Sequence, residues 1–263
     1  MTDMQAMFPD GAAYERLMGR WSRLAGEKFL RWLDLAPNLD WLDVGCGNGA
    51  FTDVIGLTAA CRSLTGLDPS EAQIAYAKGR QGGCAGAQFH IGDAQALPFA
   101  DQGFGVAVMG LVIAFLPDPA KGLAELARVT RPGGTVATYM WDLPAGGLPL
   151  APLFRSLAAI GHPGTLPPSA AVSTPPALDA LWREAGLKDV SVDTIRITVS
   201  FADFEDFWQS QTLTGGPHTA ALRKLSGAET EALRAHLRAS LPTDAQGRIA
   251  YEALATAVRG RRA

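Results

Sequence analysis

The chain has 263 residues, 48% of them hydrophobic and 19% charged, enough apolar side chain for a sizeable core within a single domain. A net charge of −3 without a long basic run argues against nucleic acid as a main partner. Three cysteines, Cys46, Cys61 and Cys84, form no C-x-x-C pair and fit reduced thiols in a cytoplasmic protein.

Met1 to Gly11 carries neither a basic n-region nor an apolar h-region, so no secretion signal is expected. The longest near-apolar run, Phe104 to Leu116, is too short to span a bilayer. Tyr14, Leu17, Met18, Trp21, Leu24, Ala25, Phe29 and Leu33 recur at helical spacing and predict an amphipathic N-terminal helix or helix pair, with a bend at Gly19 or Gly26. A strand follows over about 40–45, a helix over 48–58, a strand over 63–67 and a helix over 70–79 capped by Ser70. Next come a short strand (87–90), a strand from Phe104 to Met109 and a helix over 119–130. Thr130-Arg131-Pro132-Gly133-Gly134 stops that helix before a strand from Thr135 to Trp141. This alternation predicts a parallel, doubly wound sheet. Residues 142–175 read as a Pro- and Gly-rich loop with some helix near 150–160. Pro176 to Ala185 is helical, Val190 to Phe201 is an alternating strand, and 203–241 is helical.

The densest signal is Trp41-Leu42-Asp43-Val44-Gly45-Cys46-Gly47-Asn48-Gly49, with Gly66-Leu67-Asp68 after it. An apolar strand enters a turn with three alternate glycines, and the next strand ends on an acid. Glycines there let backbone approach a ligand, and the acid is placed to take both hydroxyls of a ribose. A carboxylate at Asp43 would repel a pyrophosphate but suits a cofactor with a positive charge near the turn, such as the α-ammonium of S-adenosylmethionine.

Four ordered segments carry a family resemblance: Leu42 to Gly49, Gly66 to Ser70, Gly92-Asp93-Ala94-Gln95-Ala96-Leu97-Pro98-Phe99, and Leu126 to Gly134. On these the chain resembles the class I S-adenosylmethionine-dependent methyltransferases of the small-molecule type, which include quinone-biosynthesis enzymes. The resemblance implies a Rossmann-like, doubly wound, seven-stranded α/β sheet, mostly parallel, with an antiparallel last strand near 249–260. It also implies one domain over 1–263: a helical N-terminal cap (1–37), a cofactor-binding half (38–141) and an acceptor-side half (142–263) with a helical insertion near 203–241. Gly45, Cys46, Gly47 and Gly49 would then pass under the methionine, Asp43 would face the ammonium, and Asp68 would hold the ribose, with Pro69 aiming the loop. Asp93 and Ala94 would meet the adenine, joined by Gln95, while Gly110 and Leu111 line the cofactor. Tyr14 and Arg20, on the capping helix, would complete the site, Arg20 by pairing with the cofactor carboxylate.

No pair among the four histidines has metal-ligand spacing, so no metal is expected. A catalytic base is not identified; His218, His162 and Tyr139 are weak candidates, and the apolar run Leu111-Val112-Ile113-Ala114-Phe115 offers no proton acceptor. The expected activity is methyl transfer to a small, apolar or amphipathic acceptor. A nicotinamide-dependent oxidoreductase and a non-catalytic cofactor-binding module are the alternatives. The oligomeric state, monomer or homodimer, is left open.

Overall fold

The computed structural model describes residues 18–80, 86–212 and 217–263. An amphipathic helix, α1 (Arg20–Leu33), buries Trp21, Ala25, Gly26, Phe29 and Leu33 on one stripe. It runs unbroken through Gly26, where the sequence suggested a bend. A Cβ at Gly26 would lie 2.8 Å from the ring of Phe51, so the glycine serves close approach of two helices.

The alternating half runs β1 (Asp40–Val44), α2 (Ala50–Thr58), β2 (Ser63–Asp68), α3 (Glu71–Gly79), β3 (Gln88–Ile91), β4 (Phe104–Gly110), α4 (Pro119–Val129) and β5 (Thr130–Trp141). Beyond it lie α5 (Ala151–Ala159), α6 (Pro175–Glu184), β6 (Lys188–Phe201), α7 (Phe204–Thr212), α8 (Pro217–Leu222), α9 (Gly227–Ser240) and β7 (Ile249–Arg261). The single sheet has the order β3-β2-β1-β4-β5-β7-β6. β7 pairs antiparallel with both β5 and β6, and the other pairings are parallel. The last strand is thus antiparallel, as expected, and lies between β5 and β6 rather than at the edge.

β1, β2 and β4 are buried almost end to end, because helices cover both faces of a parallel sheet. β6 is an edge strand, as β3 is at the other side, and its second half alternates buried and exposed residues. β5 begins five residues before the predicted Thr135. Thr130 pairs with Phe104 and the register shifts before Val106 pairs with Thr135, so the Pro-Gly-Gly stretch is an irregular strand entry and not a loop. Asp118 caps α4 by accepting from Lys121 N–H at 3.0 Å, with Pro119 in the first turn. Among the described residues the insertion after β6 holds three helices, the last opened by a capping box between Ser226 and Glu229. Among the described residues no helix is long and apolar enough to cross a membrane.

Chain order reverses direction across the sheet between β1 and β4, since β1 leads outward to β2 and β4 to β5. In an open α/β sheet the crevice at the carboxyl ends of two such strands is where ligands bind.

Candidate active site

The turn after β1 lies in that crevice. Gly45, Gly47 and Gly49 have φ of 76°, 51° and 83°, all left-handed, which only glycine adopts without strain. They differ in what a side chain would meet. A Cβ on Gly45 would lie 2.4 Å from Val112 Cγ2, in the loop after β4, so this glycine lets the two loops touch. A Cβ on Gly47 would meet no atom within 4 Å. Gly45 and Cys46 N–H both donate to Leu67 O, at 2.6 and 3.0 Å, binding the turn to the end of β2. The Cys46 thiol turns inward, with Sγ 3.0 Å from a Cβ built on Gly66. Burial, and the carboxylates Asp43 and Asp68, hold it protonated.

Asp68 is 8% exposed at the end of β2. Its Oδ2 accepts from Gly47 N–H and its Oδ1 from Ser70 N–H, both at 2.9 Å, so one carboxylate braces the glycine turn and the start of α3. Pro69 is the half-buried residue between them. Burial raises the Asp68 pKa, opposed by the N–H groups of Ser70 and Gly47. Asp43 lies deeper, 1% exposed, and its Oδ2 accepts from the Thr52 hydroxyl at 2.7 Å. Burial pushes its pKa up to about 7, Thr52 pulls it down, and Asp68 adds to the rise. The sequence alone does not point to Thr52, because no spacing rule links a strand-end acid to a hydroxyl on the first turn of the following helix.

Asp93 and Ala94 follow β3. Asp93 is exposed, and its Oδ1 accepts from Gln95 N–H at 2.9 Å, a tight turn closed by Ala96 N–H on Asp93 O. The Gln95 side chain turns away from that turn: its Oε1 accepts from Asp118 N–H at 2.9 Å, tying the loop to the start of α4. Gly110 ends β4, where a Cβ would lie 2.8 Å from Phe51. Leu111 has φ of 62°, uncommon for a side chain of its size, and its N–H donates to Tyr139 O at 2.8 Å.

The remaining candidates disperse. Tyr139 is 1% exposed, its ring 4.7 Å from Phe29 and 5.3 Å from Phe51, so it packs under α1 and not at the mouth of the crevice. His162 is on the surface, bonded to Glu229 Oε1 at 2.9 Å. Arg20 lies over the rings of Trp21 and Phe201, its Cζ 4.0 and 5.0 Å from their centroids, where burial lowers its pKa and Asp206 opposes the change. Tyr14 and the His218 side chain lie outside the described residues. Among the described residues no group of three or more His, Cys, Asp or Glu could hold a metal.

A left-handed turn with open space at Gly47, over two buried carboxylates without an ion-pair partner among the described residues, fits a ligand with an ammonium and a ribose. Comparison with known proteins agrees. A family model described as a methyltransferase domain matches residues 42–138. The chain spans about half the length of several curated relatives it matches; one is the malonyl-(acyl-carrier protein) O-methyltransferase of Pectobacterium atrosepticum, 32% identical over 133 residues, 51% of this chain and 50% of that protein. The 2-phytyl-1,4-naphtoquinone methyltransferase of Thermosynechococcus vestitus is 28% identical over 214 residues, 72% of this chain and 92% of that protein. Among solved structures, phosphoethanolamine N-methyltransferase 2 of Haemonchus contortus, in complex with S-adenosyl-L-methionine, shares the fold with a TM-score of 0.58 at 16% identity, over 98% of this chain and 58% of that one. The chain therefore carries, over residues 42–138, a methyltransferase domain on the fold of the S-adenosylmethionine-dependent class.

Proposed function

We propose that this chain transfers a methyl group from S-adenosylmethionine to a small, apolar or amphipathic acceptor. The observation that carries the reading is the glycine turn joined to Asp68 through the Gly47 N–H, above the buried carboxylate of Asp43. Asp68 holds the ribose hydroxyls, Asp43 balances the ammonium, Asp93 and the Ala94 N–H meet the adenine, and Gly110 and Leu111 line the same edge. A pyrophosphate would face both buried carboxylates, and the oxyanions would repel.

When bound, the cofactor supplies an electrophilic methyl on a sulfonium whose sulfur leaves neutral. The protein therefore needs no acid for the leaving group; its work is to align donor and acceptor and to exclude water. The loop from Leu111 to Phe115, with Val112, Ile113 and Ala114 buried, supplies an apolar wall for that purpose. An apolar acceptor also agrees with the naphtoquinone in the name of the Thermosynechococcus vestitus relative. The net charge of −3 supports a small molecule over nucleic acid, and the free thiol of Cys46 supports a reducing cytoplasm.

The test is transfer of label from methyl-tritiated S-adenosylmethionine to a panel of quinols, phenols, carboxylic acids and amines. Labelled product with at least one member is expected. Binding of the cofactor with no transfer across the panel would favour a non-catalytic binding module.

A further inference from the structure

The loop that carries Asp93 and Ala94 runs from Gly92 to Gly103 with little regular structure of its own. It is held from outside, by one face of α4. Arg128 uses all five of its N–H donors, three of them on the loop. Nη2 donates to Leu97 O at 2.9 Å, and Nη1 to Phe99 O at 2.8 Å and Asp101 Oδ1 at 2.7 Å. The other two, from Nε and Nη2, go to the two oxygens of Glu125 at 2.7 and 2.8 Å. Glu125 Oε2 also accepts from Leu97 N–H at 2.7 Å, and Gln102 N–H donates to Arg128 O at 3.0 Å. With Gln95 bonded to Asp118 N–H, the loop is fixed at Gln95, Leu97, Phe99, Asp101 and Gln102, all to α4 or its cap.

We infer that Arg128, oriented by Glu125, is a positioning residue for the cofactor's base: it fixes the loop so that the Asp93 carboxylate discriminates an adenine amino group. The inference rests on the proposed function. Asp93 spends Oδ1 on Gln95 N–H, and its second oxygen is the acceptor for the exocyclic amine. A hypoxanthine base, with a carbonyl in that place, would set oxygen against oxygen. The preference holds only while the loop does, because an exposed aspartate on a free loop moves aside at little cost. Only a guanidinium completes the clamp, since an ammonium has three donors and no planar fork.

The experiment is calorimetric titration of the full chain with S-adenosyl-L-homocysteine and with S-inosyl-L-homocysteine, for wild type, Arg128→Met, Arg128→Lys and Asp101→Asn. Wild type should prefer the adenine ligand by at least about tenfold, the weight of one charge-assisted hydrogen bond. Arg128→Met should bring the two affinities within about twofold. Arg128→Lys should recover part of the preference, and Asp101→Asn, at an acid whose side chain is 65% exposed, should lower it least. If Arg128→Met fails to fold, Glu125→Gln replaces it, keeping the side-chain shape and removing the charge. An unchanged preference in a folded Arg128→Met or Glu125→Gln protein would overturn the inference. A wild type that binds neither ligand would overturn the cofactor reading beneath it.

Discussion

At the β1–β4 switch point the chain buries two carboxylates, Asp43 and Asp68, and neither has an ion-pair partner among the described residues. Beyond Trp141 charge is handled differently. Arg183–Asp179, Arg196–Glu252 and Arg248–Asp244 pair at the surface, while Arg234 and Arg238 lie over the ring of Phe204, 5.5 and 3.7 Å from its centroid. The second region is explained by packing and solvation alone. The first is not, because an unpaired buried carboxylate disfavours folding unless something bound there offsets it.

Gly45 and Gly47, two residues apart in one turn, differ most in what they should cost. Gly47→Val, where a side chain enters open space, should lower affinity for S-adenosylhomocysteine at least about a hundredfold by occupying the ligand's place, with a loss of only about 1–2 kcal/mol of stability to left-handed strain. Gly45→Ala should do the reverse, costing about 1–3 kcal/mol from overpacking against Val112 in addition to that strain. Melting curves with and without ligand separate the two. Equal losses of stability at both positions would mean that the turn is only a fold element.

Asp68→Ala comes next. Removing the carboxylate proposed to hold the ribose should weaken cofactor binding by about 1–3 kcal/mol, read by calorimetry. Because Asp68 also braces Gly47 and Ser70, Asp68→Asn, which keeps a carbonyl acceptor, should lose less. Unchanged affinity in both variants would show that the ribose is held elsewhere.

The smallest effect is a pH dependence from Asp43. With its carboxyl pushed up to about 7 from an ordinary 3.8, the folded chain holds a proton through that window that the unfolded chain releases. This contribution to the stability of the ligand-free protein is full below about pH 4, declines as pH rises to about 7, and is flat above. Asp43→Asn should remove the decline in denaturant titrations across that window. An ammonium favours the ionised form, so affinity for S-adenosylhomocysteine should rise with pH up to about 7 in the wild type and stay level in the variant. A wild-type affinity independent of pH would contradict the pairing.

These contrasts mark what could be read from sequence. The glycine turn, Asp43 and Asp68 were legible because a left-handed glycine and a strand-end acid are local features, written within a few residues. Gly26, Tyr139 and Gln95 were not. Gly26 reads as a weak point in a helix until Phe51 is seen against it, and Tyr139 reads as a ligand-edge residue until α1 covers it. Gln95 has the right neighbours for a cofactor contact, yet its amide oxygen serves the N–H of Asp118, the residue that caps α4. The Arg128 clamp left a trace in the Glu125-x-x-Arg128 spacing, which puts both on one helix face, but its partners lie 27 to 31 residues upstream. The place of β7 between β5 and β6 likewise follows from the long helical return after β6, not from the strand itself.

The most direct test is a thermal-shift measurement on the wild-type chain with S-adenosylhomocysteine and NAD side by side, each near a hundred times its expected dissociation constant, where one-site binding adds about 2.7 kcal/mol. A rise in melting temperature with S-adenosylhomocysteine alone is the predicted result. A rise with NAD alone would mean that the turn beside Asp43 accepts a pyrophosphate, and would contradict the assignment of S-adenosylmethionine as the cofactor.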